Sequence, residues 1–290
     1  MSARILFVTG KGGVGKSAVA TALAREAARR RMPVLLVRMP AAAGADAGAA
    51  PASPSAPLSR NRRDPGLREV VLDPQRDLEA FLRRILGFGF IARRLRDSRT
   101  FSAVAAAAPG LRDLVALTAI AAEAERRRGI VVVDAPSSGH SVPMLAAPSR
   151  VLELAPFGPV AREARRASTL LAHRRSFTAV LVTTPEELAI TEVVSLRGQM
   201  HAAGVSGSEV LVNAVWPAHL DETQARAVAA SHVSRDASRH WLRRARQQEL
   251  IAALEREAGP CARIGYDFDR GEPGVADIEP VFDRLTGARA

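Results

Sequence analysis

The sequence is poor in cysteine and in aromatic residues, and each scarcity excludes a class of function. Its single cysteine, Cys261, excludes an intramolecular disulfide and any zinc or iron–sulfur site built from several cysteines. Aromatic residues make up 4% of the chain, and they do not recur along the basic runs as a base-stacking platform would require. No stretch approaches the roughly 18 to 20 uninterrupted apolar residues that span a bilayer, and the N-terminus lacks a signal-peptide layout. We therefore expect a soluble, cytoplasmic protein.

Lysine is also scarce, because only two of the 41 lysine and arginine residues are lysines. The net charge of +11 is therefore carried mainly by arginine, and it would suit a nucleic-acid or membrane partner. The arginines, however, are spread along segments with helical periodicity, which is typical of solvated helix faces. We do not expect nucleic acid to be the main ligand.

Short apolar runs alternate with helical patterns and predict an α/β fold. RILFVTG (4–10) predicts a strand buried on both faces, and the next strand, PVLLVRM (33–39), follows one helical segment. This βαβ unit requires a parallel sheet. Further strands are predicted at LREVVLD (67–73), GIVVVDAP (129–136), FTAVLVTTP (177–185), SEVLVNAV (208–215) and, more weakly, CARIGY (261–266). The pattern predicts one doubly wound, mainly parallel domain over residues 1–290.

Two segments depart from this alternation. Residues 41–66 consist largely of Ala, Gly, Pro and Ser followed by basic residues, which predicts a flexible loop. Residues 75–128 show helical periodicity in two or three pieces. We interpret this second segment as a helical insertion on one edge of the sheet.

The segment GKGGVGKS (10–17) fits the P-loop pattern G-x-x-x-x-G-K-[ST] and lies between a predicted strand and a predicted helix. The glycines allow backbone N–H groups to turn towards phosphates, and the helix adds its positive end. Lys16 is expected to reach the β- and γ-phosphates, and Ser17 to bind Mg²⁺. The predicted nucleotide-binding residues of this loop are Gly10, Lys11, Gly12, Gly13, Val14, Gly15, Lys16, Ser17 and Ala18.

Lys11 is not required by the basic P-loop pattern, although this chain has kept a lysine there. A lysine is a compact point charge where arginine is a broad fork, so both lysines favour narrow phosphate pockets. K-G-G-x-G-K-[ST] resembles the deviant Walker A loop of the ATPase group that contains MinD, ParA and ArsA. In that group the extra lysine crosses a dimer interface to the partner's nucleotide. The resemblance implies a nucleotide-sandwich dimer in which Lys11 and Lys16 serve ATP hydrolysis.

Within that group the chain most resembles ArsA and the tail-anchored-protein targeting ATPases, and the resemblance covers most of its length. VVVDAPSSGH (131–140) resembles their switch II segment, which implies that Asp134 acts in catalysis and holds Mg²⁺ together with Ser17. The loop through Gly139 and His140 would then sense the γ-phosphate. VLVTTPEELAITEV (180–193) resembles the family's T-x-P-E segment, SRTFSAVAAAAPGLRDLVAL (98–117) its helical region, and Asn213 matches the position that contacts adenine.

The resemblance implies ATP and Mg²⁺ as cofactors and a hydrophobic client or membrane protein as partner. It breaks at switch I, where aligning the proline of D-P-A-H places Met39 at the aspartate that positions water. A thioether cannot accept a proton or orient water well, and the next carboxylate is Asp46. Positioning and electrostatics dominate phosphoryl transfer, so we expect ATP binding to survive and hydrolysis to be weak.

Three hypotheses follow from these observations. The first is an ArsA-like ATPase whose dimer couples nucleotide state to client or membrane-protein handling. The second is a hydrolysis-deficient subunit of a heterodimer with an active paralogue, which Met39 favours. The third and weakest is a ParA-like DNA-associated ATPase, which only the net charge favours.

Overall fold

The strands form one sheet in which all but the last are parallel. The computed structural model describes residues 4–39, 66–72, 77–78, 81, 110–127, 129–218, 223–224, 227, 235–267, 272–273 and 278–287. Its strands are β1 (Arg4–Gly10), β2 (Val34–Arg38), β3 (Leu67–Val71), β4 (Ile130–Asp134), β5 (Phe177–Thr183), β6 (Ser208–Val215), β7 (Ala262–Asp267) and β8 (Glu272–Pro273). Their order is β3-β2-β4-β1-β5-β6-β7-β8, with β8 antiparallel to β7. The predicted α/β, doubly wound, mainly parallel fold is confirmed.

Helices cover both faces of this sheet. In the described part of the chain the long helices are α1 (Lys16–Arg29), α2 (Leu111–Arg127), α3 (Ser138–Leu154), α4 (Gly158–Ala172), α5 (Glu187–Ala202), α6 (Arg235–Ala258) and α7 (Ile278–Thr286). Helices α1 and α7 share a core with one face, and α2 to α6 cover the other. None of the described helices is long and apolar enough to cross a membrane.

Strand β1 shows why the central strands are apolar without interruption. Leu6 and Val8 pack in the core beneath α1 and α7, whereas Ile5 and Phe7 pack in the core of the opposite face. Phe7 also contacts Phe177 of the adjacent strand β5, with ring centroids 5.6 Å apart. A parallel strand covered on both faces needs apolar residues at every position, so its sequence is a continuous run.

The predicted strands are all present, although several are one or two residues shorter at their ends. The predicted helical insertion is described mainly in α2, which packs against β4, α3 and α4 and places Leu117 and Ile120 in the core of the sheet face. Helix α2 therefore packs on a face of the sheet and does not lie at its edge. Most of the remaining insertion and residues 41–65 of the predicted loop lie outside the described residues, so the domain organisation remains a prediction.

The topology brings several loops together at one edge of the sheet. Strand β1 pairs in parallel with both β4 and β5, so all three strands end on the same side. In doubly wound folds ligands bind beyond this edge, near the point where the strand order reverses. The loop after β1, the segment after β4 and the start of α5 therefore meet there.

Candidate nucleotide-binding site

The loop between β1 and α1 is shaped by glycines. Gly13 and Gly15 have positive φ angles of 85° and 88°, a conformation that other residues rarely adopt. A Cβ atom on Gly10 would lie 2.1 Å from the carbonyl oxygen of Val182 in β5. A Cβ on Gly12 or Gly13, in contrast, would meet no described atom within 4 Å. The first residue of the loop therefore packs closely against β5, whereas the space around Gly12 and Gly13 is free, as phosphate binding by the loop requires.

The N-terminus of α1 is ready to receive an anion. Gly15 is its N-cap residue, no side chain caps the helix, and its first turn contains no acidic residue. The first N–H groups of a helix have no partner within the helix and carry its positive dipole end. Phosphate oxygens can satisfy both the hydrogen-bonding capacity and the charge of this terminus.

Lys16 is folded back over its own loop. Its Nζ donates a hydrogen bond to the carbonyl oxygen of Lys11 over 2.9 Å. Burial lowers the pKa of the Lys16 ammonium, and the charge of Asp134 partly opposes this shift. A phosphate placed inside the loop would offer this desolvated cation a charged partner in place of a carbonyl.

Ser17 and Asp134 meet at the other side of the loop. Ser17 Oγ donates to Asp134 Oδ1 over 3.1 Å, although the two residues are 117 positions apart in sequence. Hydroxyl and carboxylate oxygens are the donors that Mg²⁺ prefers, so this pair fits the ion. No group of three or more His, Cys, Asp and Glu among the described residues could hold a metal. An Mg²⁺ here would complete its coordination with water or with oxygens of a nucleotide.

Arg38, the last residue of β2, hydrogen-bonds the second carboxylate oxygen of Asp134. Its Nη1 donates to Asp134 Oδ2 over 2.9 Å, its Nη2 donates to Thr21 Oγ1 over 3.1 Å, and its Nε donates to Glu69. Burial alone would lower the pKa of Arg38, but the hydrogen bonds and charges of Glu69 and Asp134 outweigh it and raise that pKa. A fixed cation therefore stands beside the expected metal position.

Lys11 lies apart from the interior of its own loop and faces α5. Its Nζ is 3.2 Å from Glu192 Oε2, and the two side chains are 43% and 36% exposed. Glu192 also accepts a hydrogen bond of 2.9 Å from Ser138 Oγ at the start of α3. One carboxylate thus links the tip of the P-loop to the segment after β4.

The switch II-like segment is shorter than the sequence indicates. Gly139 and His140 lie exposed in the first turn of α3 and not in a loop, and the His140 N–H donates to Ser137 O over 2.9 Å. The segment is tied to β1 by Thr9, whose Oγ1 donates to Pro136 O over 2.9 Å. The sequence prediction was wrong about this backbone, because α3 begins immediately after Ser137.

Asn213 lies on β6 and contacts the P-loop. Its buried side chain donates from Nδ2 to Val14 O over 2.8 Å, and its Oδ1 is buried without a hydrogen-bond partner. The pairing of β6 with β7 shifts register between Val212 and Val215, and Ala214 has a positive φ of 57°. A buried unpaired carbonyl oxygen costs roughly 1–3 kcal/mol, and a donor group on a ligand would relieve that cost.

Comparison with known proteins agrees with this site. Residues 3–156 match the ArsA family, described as anion-transporting ATPase. Over 250 residues the chain is 30% identical to ATPase BagA of Mycobacterium tuberculosis. The aligned region covers 82% of this chain and 73% of that protein. The same identity and coverage relate it to the Mycobacterium bovis protein Mb3704. The chain belongs to the ArsA family of ATPases. Membership of this family implies nucleotide binding.

The structure brings most of the predicted residues of this ArsA-family site together. The P-loop contacts Asp134 through Ser17 and Asn213 through Val14. Sequence reasoning missed Arg38 and Glu192. A signal for Arg38 was present, since it is the one charged residue that ends the apolar run VLLV, whereas nothing local marks Glu192 as the partner of Lys11.

Proposed function

We propose that this ArsA-family ATPase binds ATP with Mg²⁺ at the P-loop and dimerises in response. Dimer closure would couple ATP binding or hydrolysis to the handling of a hydrophobic client or a membrane protein. Ser17 and Asp134 would hold Mg²⁺, which would neutralise charge on the β- and γ-phosphates. The observation that carries the nucleotide proposal is the buried, unpartnered Oδ1 of Asn213, whose amide is fixed to the P-loop.

Asn213 supports adenine over guanine as the base. Its Nδ2 is already engaged by Val14 O, so the group left to a ligand is the acceptor Oδ1. Adenine carries an amino group at position 6, which donates hydrogen bonds, whereas guanine carries a carbonyl oxygen there. A site built around a hydrogen bond rejects a ligand that leaves its buried polar group unpaired.

Replacing Asn213 by alanine tests this assignment. We expect ATP affinity to fall by about three- to tenfold, which corresponds to one lost hydrogen bond of roughly 0.5–1.5 kcal/mol, and the preference for ATP over GTP to shrink. Titration calorimetry with each nucleotide measures both quantities.

A matched control is Gln247→Ala, which also removes a buried amide, one whose Oε1 accepts from the Trp216 N–H over 2.9 Å. This variant should keep the native ratio of ATP to GTP affinity. An unchanged ratio in Asn213→Ala would reject the adenine assignment.

The proposed dimer is supported by the surroundings of Lys11. Leu188 of α5 is 76% exposed and lies one helical turn from Glu192, so both residues share a face. An ion pair as exposed as that between Lys11 and Glu192 contributes only about 0–1 kcal/mol. Lys11 could therefore exchange Glu192 for the phosphates of a partner's nucleotide at little cost, while Leu188 would be covered by the partner.

Weak hydrolysis is supported by the position of Met39. Its N–H donates to Asp134 O over 3.1 Å, and its partly buried side chain packs against the core of the sheet face. An apolar side chain held there cannot orient an attacking water, so the hydrolysis-deficient subunit of a heterodimer with an active paralogue is our second candidate function.

A further inference from the structure

The amino ends of the parallel strands, on the edge of the sheet opposite the P-loop, carry a group of arginines. Arg4 begins β1, Arg174 precedes β5 by three residues, and Arg284 lies in the last turn of α7. Glu209, the second residue of β6, hydrogen-bonds two of them. We call these four residues the amino-edge cluster.

Glu209 is shared between Arg174 and Arg284. Its Oε1 accepts a hydrogen bond from Arg174 Nη2 over 2.9 Å, and its Oε2 accepts from Arg284 Nε and Nη2 over 3.3 and 3.1 Å. Both oxygens of this carboxylate are therefore engaged. The side chains of Arg174 and Arg284 are nevertheless 67% and 38% exposed, so a ligand from solvent can reach their remaining N–H groups.

Arg4 adds a third positive charge to the cluster. Its Nη1 donates to Thr286 O over 2.8 Å, its Nη2 donates to Thr178 Oγ1 over 3.4 Å, and its Nε is buried without a hydrogen-bond partner. Burial lowers the pKa of Arg4, the charge of Arg174 lowers it further, and the charge of Glu209 opposes both. Arg4 is thus held close to a second cation by bonds to neutral oxygens.

The cluster contains more positive than negative charge, since three guanidinium groups and one carboxylate give it a net charge of +2. Two carboxylates close by in the chain have arginine partners of their own. Asp283 of α7 accepts a hydrogen bond from Arg30 of α1. Glu255 of α6 accepts one from Arg263 over 2.8 Å. An excess of like charge held on fixed elements favours the binding of an added anion.

A phosphate group fits the cluster in both charge and geometry. At neutral pH a phosphate monoester carries about 1.5 to 2 negative charges, which matches the excess positive charge. A guanidinium can donate two parallel N–H groups to phosphate oxygens. Among the described contacts, Arg174 engages one of its five N–H groups, so a full fork is left for such a ligand.

We propose that the amino-edge cluster is a second anion site, which binds the phosphate group of a free phosphate-bearing molecule or of a lipid headgroup. Arg174 and Arg284 donate hydrogen bonds to the phosphate oxygens, and Arg4 adds a fixed positive charge beside them. The site lies at the opposite edge of the sheet from the P-loop, so it goes beyond the proposed function and does not depend on it.

Inorganic phosphate is the first probe, and the measurement is the melting temperature of the full chain at constant ionic strength. The titration is made in Lys16→Ala, so that the P-loop contributes little to phosphate binding. We expect a saturable rise in melting temperature, because a ligand that binds only the folded chain stabilises it. Adding Arg174→Gln should raise the dissociation constant for phosphate by about tenfold, since a charge-assisted hydrogen bond is lost.

Two further variants separate a phosphate site from a purely structural cluster. Glu209→Gln should lower the dissociation constant by about threefold or more, because it removes the anion that competes for Arg174 and Arg284. A merely structural role of Glu209 would not produce tighter binding. The matched control is Arg166→Gln, since Arg166 is 65% exposed, lies in α4 and pairs with Glu163 over 3.6 Å. It should leave phosphate binding unchanged.

Vesicles are the second probe, and they distinguish the source of the phosphate group. Cosedimentation compares phosphatidylcholine vesicles with and without phosphatidic acid, using the same variants. Loss of binding in Arg174→Gln alone assigns the site to a free ligand if inorganic phosphate shows it, and to a headgroup if only the vesicles do. Binding of neither probe, or equal losses in Arg174→Gln and Arg166→Gln, would overturn the proposal. If Arg174→Gln does not fold, unchanged or weaker binding of both probes by Glu209→Gln would overturn it.

Discussion

Replacing Lys16 by alanine should weaken ATP binding by about 10- to 100-fold, the largest effect expected of any single substitution in this site. Among the described residues, the native side chain hydrogen-bonds a carbonyl of its own loop over 2.9 Å, and burial lowers its pKa. Removing it therefore takes little from the ligand-free fold, whereas the bound phosphates lose a charge-assisted hydrogen bond. Calorimetric titration with Mg·ATP measures the loss, and an unchanged melting temperature shows that the fold is retained.

The conservative variant Lys16→Arg tests why a lysine persists in a chain with 41 basic residues of which only two are lysine. We expect it to bind ATP poorly as well, because the planar guanidinium is broader than the ammonium and cannot occupy the same narrow loop. Native affinity in Lys16→Arg would show that the pocket does not discriminate between the two cations. Native affinity in Lys16→Ala would reject the P-loop assignment itself.

Replacing Lys11 by alanine should have the second largest effect, on assembly rather than on the affinity of a single chain. The Lys11 side chain faces Glu192 at 3.2 Å and not its own loop, so the P-loop of the same chain should bind ATP about as well without it. The nucleotide-bound dimer would lose a buried contact between a cation and phosphate, which weakens dimerisation by about tenfold or more. Sedimentation velocity in a slowly hydrolysed ATP analogue measures this change.

Glu192→Gln is the matched control for Lys11→Ala. It breaks the same ion pair but leaves Lys11 in place, so dimerisation should be retained or strengthened. If Lys11→Ala dimerises as the native chain does, Lys11 is only a solvated charge that pairs with Glu192.

The sheet could be predicted from the sequence because each central strand is buried on both faces. All five residues of β4 are buried, and a continuous apolar run such as IVVVD is typical of a strand covered on both sides. Strand β8 was not predicted, since two residues, Glu272–Pro273, carry no periodicity. Most of the segment between β3 and α2 lies outside the described residues.

Helix α3 shows where local sequence signals misled. Gly139, Pro143 and Pro148 all argue against a helix, yet all lie within Ser138–Leu154. Met144 and Leu145 of this helix are buried against the sheet, and that tertiary packing outweighs the unfavourable local preferences. The segment through His140 was predicted to be a loop, but it forms the first turn of this helix.

The candidate site was predictable where its residues are adjacent in sequence, and less so where they meet through the fold. The order strand, GKGGVGKS and helix identified the P-loop directly. The contact of Arg38 with Asp134 joins residues 96 positions apart, and only the adjacency of β2 and β4 in the sheet creates it. The family resemblance singled out Met39, but the neighbouring residue Arg38 is the charged one that contacts Asp134.

We propose that ATP switches this chain from monomer to dimer, and the mass of the protein in solution with and without Mg·ATP decides this. Sedimentation equilibrium, run beside an assay of phosphate release, should show the 30.9 kDa chain doubling in mass with ATP while turnover stays slow. A chain that stays monomeric at saturating ATP would contradict the claim for a homodimer. Fast turnover that Lys16→Ala abolishes would contradict the weak hydrolysis attributed to Met39.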